Sequence, residues 1–383
     1  MKLSQMYPDP PSPTEELGDY EGIVHELIWE RCPEFVPRIF NYGCHDYDLN
    51  YRVKRRMEYL ELEWMPHGDV WELMKHYIDH DKILPEPFIW YVFFALAKVA
   101  VYCLNGQLSD TKDPEWDRIC HLDIKPDNIF LGAPNPNEPM EWARAYPVPK
   151  IGDWDMAYIT TALYQGDPDD PLEWPRNPQD LQGTGTVGHM PPELLPRDLE
   201  ELYRMQEETN AFGWPEATLD RINKLMPCDP TQQPFPPPDA KCGIDSWTTV
   251  WQIGMVIWIM LSGNNTPDDL VVDFSDSVNR TGDYPTREFR MKGPLRPVYS
   301  GRLVELTYSC LHADPEERID VWDLFREVRD ACQDVGRELK KKMGKDRDGL
   351  LVDGPVPVSV PPDKYPVAAA VLNDTPPIPL RPE

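Results

Sequence analysis

The sequence predicts an α+β protein in which a small part that combines a helix with a strand precedes a larger, mainly helical part. One helical pattern and one alternating strand pattern occupy residues 15–66. Long apolar or amphipathic helical patterns dominate residues 67–330. Hydrophobic residues make up 41% of the 383-residue chain, which is enough to build a core for a protein of this size.

The elements of the small part follow from the spacing of apolar residues. Residues 15–31 carry apolar side chains among charges and predict a short helix. Residues 57–64 alternate apolar and acidic side chains, which is typical of a half-buried strand. After a His-Gly break, Asp69 is placed to cap a second helix that runs to about His76.

Three further helices are predicted in the larger part. Residues 87–105 are apolar on nearly every side, which indicates a helix buried in a large domain. Residues 254–261 lie within a second such helix, and residues 314–330 form an amphipathic third helix.

Proline occupies 44 positions, and this abundance favours irregular stretches beside the core. These stretches are predicted to be a disordered N-terminus, three insertions and a Pro-rich disordered tail, at residues 1–14, 133–149, 164–182, 196–242 and 331–383.

The chain is strongly acidic, with 38 basic against 66 acidic side chains and a formal net charge of −28. Such a protein repels nucleic acid and anionic membranes, so we expect neither as a partner. The longest apolar run, residues 91–104, contains Lys98 and is shorter than the about 20 residues that span a bilayer. Because the sequence has no signal-peptide pattern and no Cys-x-x-Cys pair, we expect a cytoplasmic or nuclear protein that is not secreted and has no transmembrane segment.

Two short segments contain candidate catalytic residues. Asp123, Lys125 and Asn128 lie within six residues and precede an apolar strand pattern. Phosphoryl transfer needs these groups, because a carboxylate accepts the proton of the attacking hydroxyl, an ammonium neutralises the phosphate and an amide oxygen binds Mg²⁺. Asp153 ends a second short strand and could bring another metal-binding carboxylate to the same place. The alternatives are a solvated polar turn at Asp123 and an ordinary strand-to-loop acid at Asp153.

These segments resemble those of the protein kinase family. His121-x-Asp123-x-Lys125-Pro126-x-Asn128 resembles the catalytic loop, and Asp153-Trp154-Asp155 resembles the Asp-Phe-Gly motif. Further segments match, in the family's order, the hinge, the end of the activation segment, the central helix and the closing segment, at residues 63–69, 185–193, 250–254 and 310–318. The sequence of residues 250–254 is similar to that of kinase-like proteins of filamentous fungi.

The resemblance implies a bilobal α+β fold, with a truncated small N-lobe of few antiparallel strands and a mainly helical C-lobe, and a serine/threonine kinase that uses ATP and Mg²⁺. Residues 15–66 would form a partial N-lobe with helix C, strands and hinge, and residues 67–330 would form the C-lobe. Lys125 and Thr186 favour the serine/threonine branch over the tyrosine branch. The implied partner is a protein substrate, for which the acidic surface favours a basic peptide, and the oligomeric state is left open.

The resemblance also assigns roles to individual residues. Asp123 would act as the base for the substrate hydroxyl, Lys125 would lie beside the γ-phosphate, and Thr186 would contact the catalytic loop. Asn128 and Asp153 would hold Mg²⁺. Glu193 and Arg318 would form a structural ion pair. The nucleotide-binding residues would be Leu62, Glu63, Met65, Asp69, Lys125, Asn128 and Asp153.

The chain also departs from the family pattern. About 15 residues precede the first helix, and they contain no Gly-x-Gly-x-x-Gly, while their only lysine is Lys2. In the family the strand lysine pairs with a glutamate of helix C, and this glutamate would be Glu21 or Glu26. Thr249 stands where the family has an aspartate that braces the catalytic loop. A truncated gene start and a degenerate N-lobe both explain the missing loop, and the alternative function is a pseudokinase or scaffold that binds protein partners without catalysis.

Overall fold

The computed structural model describes eleven parts of the chain, namely residues 2–3, 20–50, 53–80, 82–160, 181, 183–186, 188–194, 244–263, 299–312, 315 and 317–343. Of the predicted insertions 164–182 and 196–242, only Leu181 belongs to the described residues. Residue 314 and the predicted tail beyond residue 343 also lie outside them.

The described residues form a mixed α+β structure with few, antiparallel strands and several helices, which confirms the predicted class. The strands are β1 (Lys2–Leu3), β2 (Ile39–Asn50), β3 (Val53–Leu62), β4 (Arg118–Cys120), β5 (Ile129–Gly132), β6 (Val148–Ile151) and β7 (Tyr158–Thr160). The helices are α1 (Tyr20–Arg31), α2 (Val70–Asp79), α3 (Glu86–Asn105), α4 (Ser246–Ser262), α5 (Gly301–Cys310) and α6 (Val321–Met343).

Three antiparallel sheets organise the strands. The largest has the order β1-β3-β2, and its long β2–β3 hairpin pairs Ile39 with Leu62 at the open end. The pairing of Lys2–Leu3 with β3 differs from the disordered N-terminus predicted for residues 1–14, because the outer edge of β3 offers them main-chain partners. Two smaller pairs, β4–β7 and β5–β6, flank the segments that contain the candidate residues.

Helix α3 is the centre of the main hydrophobic core. Its apolar residues point in every direction, so it is covered on all sides and packs against α4 and α6, as the sequence predicted. It ends at Asn105 and is capped by Gly106, where a side chain would collide with the Trp116 ring and where φ is +69°. Among the described residues, α3 alone is long and apolar enough to cross a membrane, and most of it is buried inside the protein.

The predicted ends of the other helices are partly corrected. Asp69 caps α2 as predicted, since its Oδ1 accepts the Glu72 N–H at 2.7 Å, but the helix continues past His76 to Asp79. The helix predicted at residues 314–330 begins only at Val321 and continues to Met343. The predicted start of the disordered tail at residue 331 is therefore wrong for residues 331–343, because Cys332 and its neighbours continue the apolar face that packs on α3.

The predicted insertion at residues 133–149 is folded against the core. It contains a short 3₁₀ helix, Glu141–Ala145, that buries Trp142. Glu138 in the same stretch accepts a 3.0 Å hydrogen bond from the Tyr91 hydroxyl of α3. Buried aromatic and charged contacts of this kind order a loop despite its prolines.

Candidate functional site

The carboxylate of Asp123 lies buried at the centre of the candidate site. Its Oδ2 accepts hydrogen bonds from Lys125 Nζ at 2.7 Å and from Asn128 Nδ2 at 3.2 Å. Its Oδ1 accepts the Thr186 hydroxyl at 2.6 Å. The structure thus brings together the three residues predicted within one loop and a fourth that lies 63 positions further along the chain.

Lys125 and Thr186 are also joined to each other. Lys125 Nζ donates to Thr186 Oγ1 at 2.8 Å, so the ammonium bridges the carboxylate and the hydroxyl. The contact between Thr186 and the loop of Asp123, predicted from the resemblance, is present. The Lys125 side chain is partly exposed whereas that of Asp123 is buried, so the ammonium lies between the carboxylate and solvent.

Two residues of the candidate segments have left-handed backbone. Leu122 has φ of +63° and Asp153 has φ of +68°, and these are the non-glycine residues with positive φ among those described. A β-carbon makes this conformation unfavourable, so surrounding contacts must hold it in place. Such strain concentrates at functional sites, and here it falls beside Asp123 and on Asp153 itself.

His121 joins the two segments. Its Nε2 donates to Gly152 O at 3.0 Å, and its Nδ1 accepts the Asp123 N–H at 3.3 Å. The carbonyl acceptor and the amide donor require a neutral ring protonated on Nε2. Burial lowers the pKa of His121, which favours this neutral form. The ring lies 4.5 Å from that of Trp154, so it also packs on the residue after Asp153.

Gln252 on α4 braces the loop, and the sequence did not predict this role. Its Nε2 donates to Leu122 O at 2.5 Å, and its Oε1 accepts the Ile124 N–H at 3.5 Å. Thr249, at the position where the family has the bracing aspartate, makes no side-chain hydrogen bond to this loop within the described residues and lies against the buried Cys120 thiol. A carboxamide within the apolar run Val250–Leu261 was the sequence signal that could have identified Gln252.

Asn128 and Asp153 are the residues expected to hold Mg²⁺. The Gly152 N–H donates to Asn128 O at 3.1 Å, which brings the segment of Asp153 next to Asn128. Asn128 Nδ2 donates to Asp123 O at 2.9 Å, so its amide nitrogen is directed at the loop and its carbonyl oxygen remains as an acceptor.

One amide oxygen and one carboxylate fit the oxygen preference of Mg²⁺, which typically takes few protein ligands and completes its shell with phosphates and water. Within the described residues no cluster of three or more His, Cys, Asp or Glu side chains could hold a metal ion. The arrangement therefore fits a metal that arrives with a phosphate ligand better than a metal held by the protein alone.

The residues expected at the nucleotide lie between β3 and α2. Leu62 ends β3, and the following Glu63 carboxylate accepts Lys150 Nζ at 2.7 Å and the Arg38 N–H at 3.0 Å. The Glu63 side chain is thus already engaged in holding the protein together. Any contact of Glu63 with a nucleotide would have to come from its main chain.

Met65 and Asp69 lie beside β5. The Met65 sulfur is 3.6 Å from the position that a β-carbon on Gly132 would take, and Asp69 forms a β-bridge with Phe130. Burial raises the pKa of Asp69 to about 6, since desolvation disfavours its charged form. Because β5 directly follows Asn128, the structure places the Met65–Asp69 segment next to the strand that leaves the candidate loop.

The two candidate helix glutamates are found on α1. Glu26 accepts the Tyr42 hydroxyl at 2.9 Å, and Glu21 is largely buried in the first turn. A third polar residue of this helix, His25, is fully buried and donates from Nε2 to Pro37 O at 2.7 Å. Burial lowers the pKa of His25 to about 4, and the nearby His121 and Lys150 act in the same direction.

Glu193 and Arg318 form the predicted ion pair. Arg318 Nη1 and Nη2 reach the two Glu193 oxygens at 2.8 and 3.2 Å, and both side chains are excluded from solvent. Thr248 of α4 donates to the same carboxylate at 3.0 Å, and the Arg318 guanidinium lies 5.1 Å from the Trp251 ring. The pair therefore fixes the segment that follows Thr186 against α4.

No model of a known protein family matches the chain. No curated protein matches it at a significant level either. Function is therefore inferred from the residues of this chain and from their geometry.

Proposed function

We propose that this chain has a protein kinase-like bilobal fold and transfers the γ-phosphoryl group of ATP to a serine or threonine hydroxyl of a protein. The observation that carries this proposal is the buried Asp123 carboxylate, bonded to Lys125, Asn128 and Thr186, with the segment of Asp153 bonded to the same loop. These residue types are the ones that phosphoryl transfer requires.

Each residue has a chemical role in this proposal. Asp123 orients the substrate hydroxyl and accepts its proton, because a carboxylate oxygen is the acceptor at the centre of the site. Lys125 stabilises the negative charge that develops on the transferred group, since its ammonium lies 2.7 Å from the same carboxylate. Thr186 keeps Asp123 and Lys125 aligned through its two hydrogen bonds.

ATP and Mg²⁺ belong to the proposal as the phosphoryl donor and its charge-neutralising ion. Asn128 and Asp153 would hold the metal through oxygen atoms. Leu62, Glu63, Met65 and Asp69 would line the nucleotide, on the side of β5 that adjoins Asn128. The acidic surface, with its net charge of −28, favours a basic acceptor peptide in the cytoplasm or nucleus.

A pseudokinase or scaffold is the second candidate function. It is favoured by the lack of a Gly-x-Gly-x-x-Gly motif in residues 1–19, before α1, and by the hydrogen bonds that the two oxygens of Asp123 already accept from Lys125 and Thr186. In that function the same network would have a purely structural role, and substrate hydroxyls would not displace either donor.

The test is transfer of radiolabelled phosphate from Mg·ATP to a generic acceptor protein. We expect Asp123→Asn to reduce the transfer rate by about 10²- to 10⁴-fold, because the substituted amide cannot accept the proton. The matched control is Asp127→Asn, an exposed acid of the same loop, which should retain the rate. Equal rates in the wild type and in Asp123→Asn would contradict the enzymatic proposal and favour the scaffold.

A further inference from the structure

We propose that Gln252 is a positioning residue that holds the loop of Asp123 in its active shape. This inference rests on the proposed function, since it concerns the same site. Gln252 is fully buried on α4 and lies 130 residues from the peptide that it contacts. A buried carboxamide is retained only where both its donor and its acceptor are used, so its two bonds identify its task.

The two bonds of Gln252 lie on either side of Asp123. Nε2 donates to the carbonyl of Leu122, and Oε1 accepts the N–H of Ile124. The opposite amide orientation would place an oxygen against a carbonyl and an N–H₂ against an amide N–H, so the network determines the orientation. Gln252 therefore holds both main-chain groups that flank the carboxylate-bearing residue.

Leu122 needs such a constraint because its φ of +63° is unfavourable for a residue with a β-carbon. Its side chain is buried in a small cluster with Tyr158, Met190 and Leu194. That cluster anchors the side chain but does not satisfy the carbonyl. The hydrogen bond from Gln252 supplies the partner that the buried Leu122 carbonyl requires.

The same carbonyl also contacts the segment that contributes Thr186. A β-carbon on Gly185 would lie 2.6 Å from Leu122 O, and Gly185 has φ of +108°. The Leu122 carbonyl is thus held between α4 on one side and Gly185 on the other. Because Thr186 follows directly and donates to Asp123 at 2.6 Å, the position of this carbonyl sets how the hydroxyl meets the carboxylate.

Loss of the Gln252 carboxamide should therefore impair the transfer step more than nucleotide binding. The Leu122 peptide would lose its donor and relax, and Asp123 would move relative to Lys125 and Thr186. The Asn128 side chain is bonded to Asp123, but the bonds from the Gly152 N–H to Asn128 O and from His121 to Gly152 O do not involve Gln252 and should keep the metal-binding candidates together. A change confined to kcat with little change in the KM for ATP is the signature of this role.

The experiment compares Gln252→Leu and Gln252→Glu with the wild type. We expect kcat to fall on the order of 10- to 100-fold in Gln252→Leu, with the KM for ATP within about twofold, because small misplacements of a catalytic group have effects of this size. In Gln252→Glu, only the protonated carboxyl reproduces the donor and acceptor pair. Its kcat relative to the wild type should therefore decrease as the pH rises, whereas the ratio for Gln252→Leu should stay constant.

The matched control is Thr307→Val on α5. Thr307 is equally buried, but its hydroxyl bonds to Leu303 O within its own helix. The Thr307→Val variant should therefore have a lower free energy of unfolding and an unchanged kcat. If Gln252→Leu does not fold, Gln252→Met, which is unbranched like glutamine, takes its place. A wild-type kcat in the Gln252 variants, or an equal loss in Thr307→Val, would overturn the inference.

Amide hydrogen exchange at Ile124 gives a readout that does not depend on turnover. The exchange rate should rise in Gln252→Leu and not in Thr307→Val, since the Ile124 N–H donates to Gln252. If the wild type transfers no more phosphate than Asp123→Asn while Ile124 exchange still rises, the proposed function fails and the positioning role stands. Unchanged exchange at Ile124 overturns the positioning role whatever the activity.

Discussion

At the scale of single residues, two buried histidines lie next to the candidate site in the neutral form. His25 on α1 donates to Pro37 O, and His121 bridges Gly152 and Asp123. Burial lowers the pKa of both rings, and that of His25 falls to about 4. In the unfolded chain both rings would titrate near 6.5, so the unfolded state binds protons that the folded state does not.

We predict that the free energy of unfolding decreases as the pH falls from about 6.5 to 4. His25 alone should contribute roughly 3 kcal/mol over this interval, because each pH unit adds about 1.4 kcal/mol where the two states differ by one proton. Below the pKa that His25 has in the folded state, its contribution to the free energy of unfolding is lost completely. Above pH 6.5 the contribution is fully present. Urea unfolding at pH 7, 6, 5 and 4 measures this slope.

The variant His25→Gln isolates the histidine contribution. A glutamine amide can donate to Pro37 O without titrating, so the difference between variant and wild type should shrink or reverse as the pH falls. This comparison also removes the opposite contribution of Asp69, whose raised pKa favours the folded state at low pH. His80→Gln, which changes an exposed ring directly after α2, should follow the wild-type slope, and a parallel slope in His25→Gln would contradict the prediction.

At the scale of elements, Lys150 of β6 links the three-stranded sheet to the candidate site. Its Nζ donates to Glu63 at 2.7 Å and to the carbonyls of Val36 and Pro33 at 3.3 and 3.4 Å. The Ile151 N–H adds a main-chain bond to Phe35 O at 2.9 Å. The chain after α1 and the end of β3 are thus tied to the strand that leads into Asp153.

We predict that Lys150→Met lowers the free energy of unfolding by about 2–3 kcal/mol, because two carbonyls and one carboxylate lose a charged donor. Glu63→Gln should cost about 1 kcal/mol, since its carboxylate is partly exposed and keeps the Arg38 N–H. A double-mutant cycle should give a coupling of about 1–2 kcal/mol.

The control for this link is Lys112→Met, at an exposed position of the same charge. It should leave the free energy of unfolding within about 0.5 kcal/mol of the wild type. Additive losses in Lys150→Met and Glu63→Gln would show that the ion pair does not couple the two elements.

At the scale of the whole molecule, the Glu193–Arg318 pair joins parts of the chain that are 125 residues apart. Arg318 also donates to Trp247 O at 2.7 Å and to His312 O at 2.9 Å. Since the pair is buried, each charge depends on the other for its stabilisation. The segment after Thr186, the start of α4 and the approach to α6 therefore meet at one guanidinium.

We predict that Arg318→Met reduces the free energy of unfolding by about 3–5 kcal/mol, because it leaves the Glu193 carboxylate buried without its counter-charge. Arg318→Lys should recover only part of this loss, since an ammonium cannot reproduce the two parallel bonds. Chemical denaturation followed by circular dichroism measures both. Arg329→Met, an exposed change on α6, is the control, and a loss below 1 kcal/mol in Arg318→Met would refute the prediction.

Local patterns in the sequence were sufficient to predict several features of the fold and of the candidate site. The apolar surface of α3, the cap at Asp69 and the α+β class follow from periodicity and from residue types at adjacent positions. Asp123, Lys125 and Asn128 were found because they lie within six residues. The sequence did not predict the end of α6 at Met343, because a weakly apolar helix face resembles the start of a polar tail until its packing partner α3 is known.

The sequence by itself determined which residues could perform the chemistry, since carboxylate, ammonium and amide groups are properties of the residues. Only the tertiary structure decided which distant residues complete the site. It placed Gln252 on the loop backbone and Lys150 on Glu63, and it brought Thr186 to Asp123 as the resemblance implied. The physical reason is that these contacts join residues far apart in the chain, and such contacts form only when helices and sheets pack against each other.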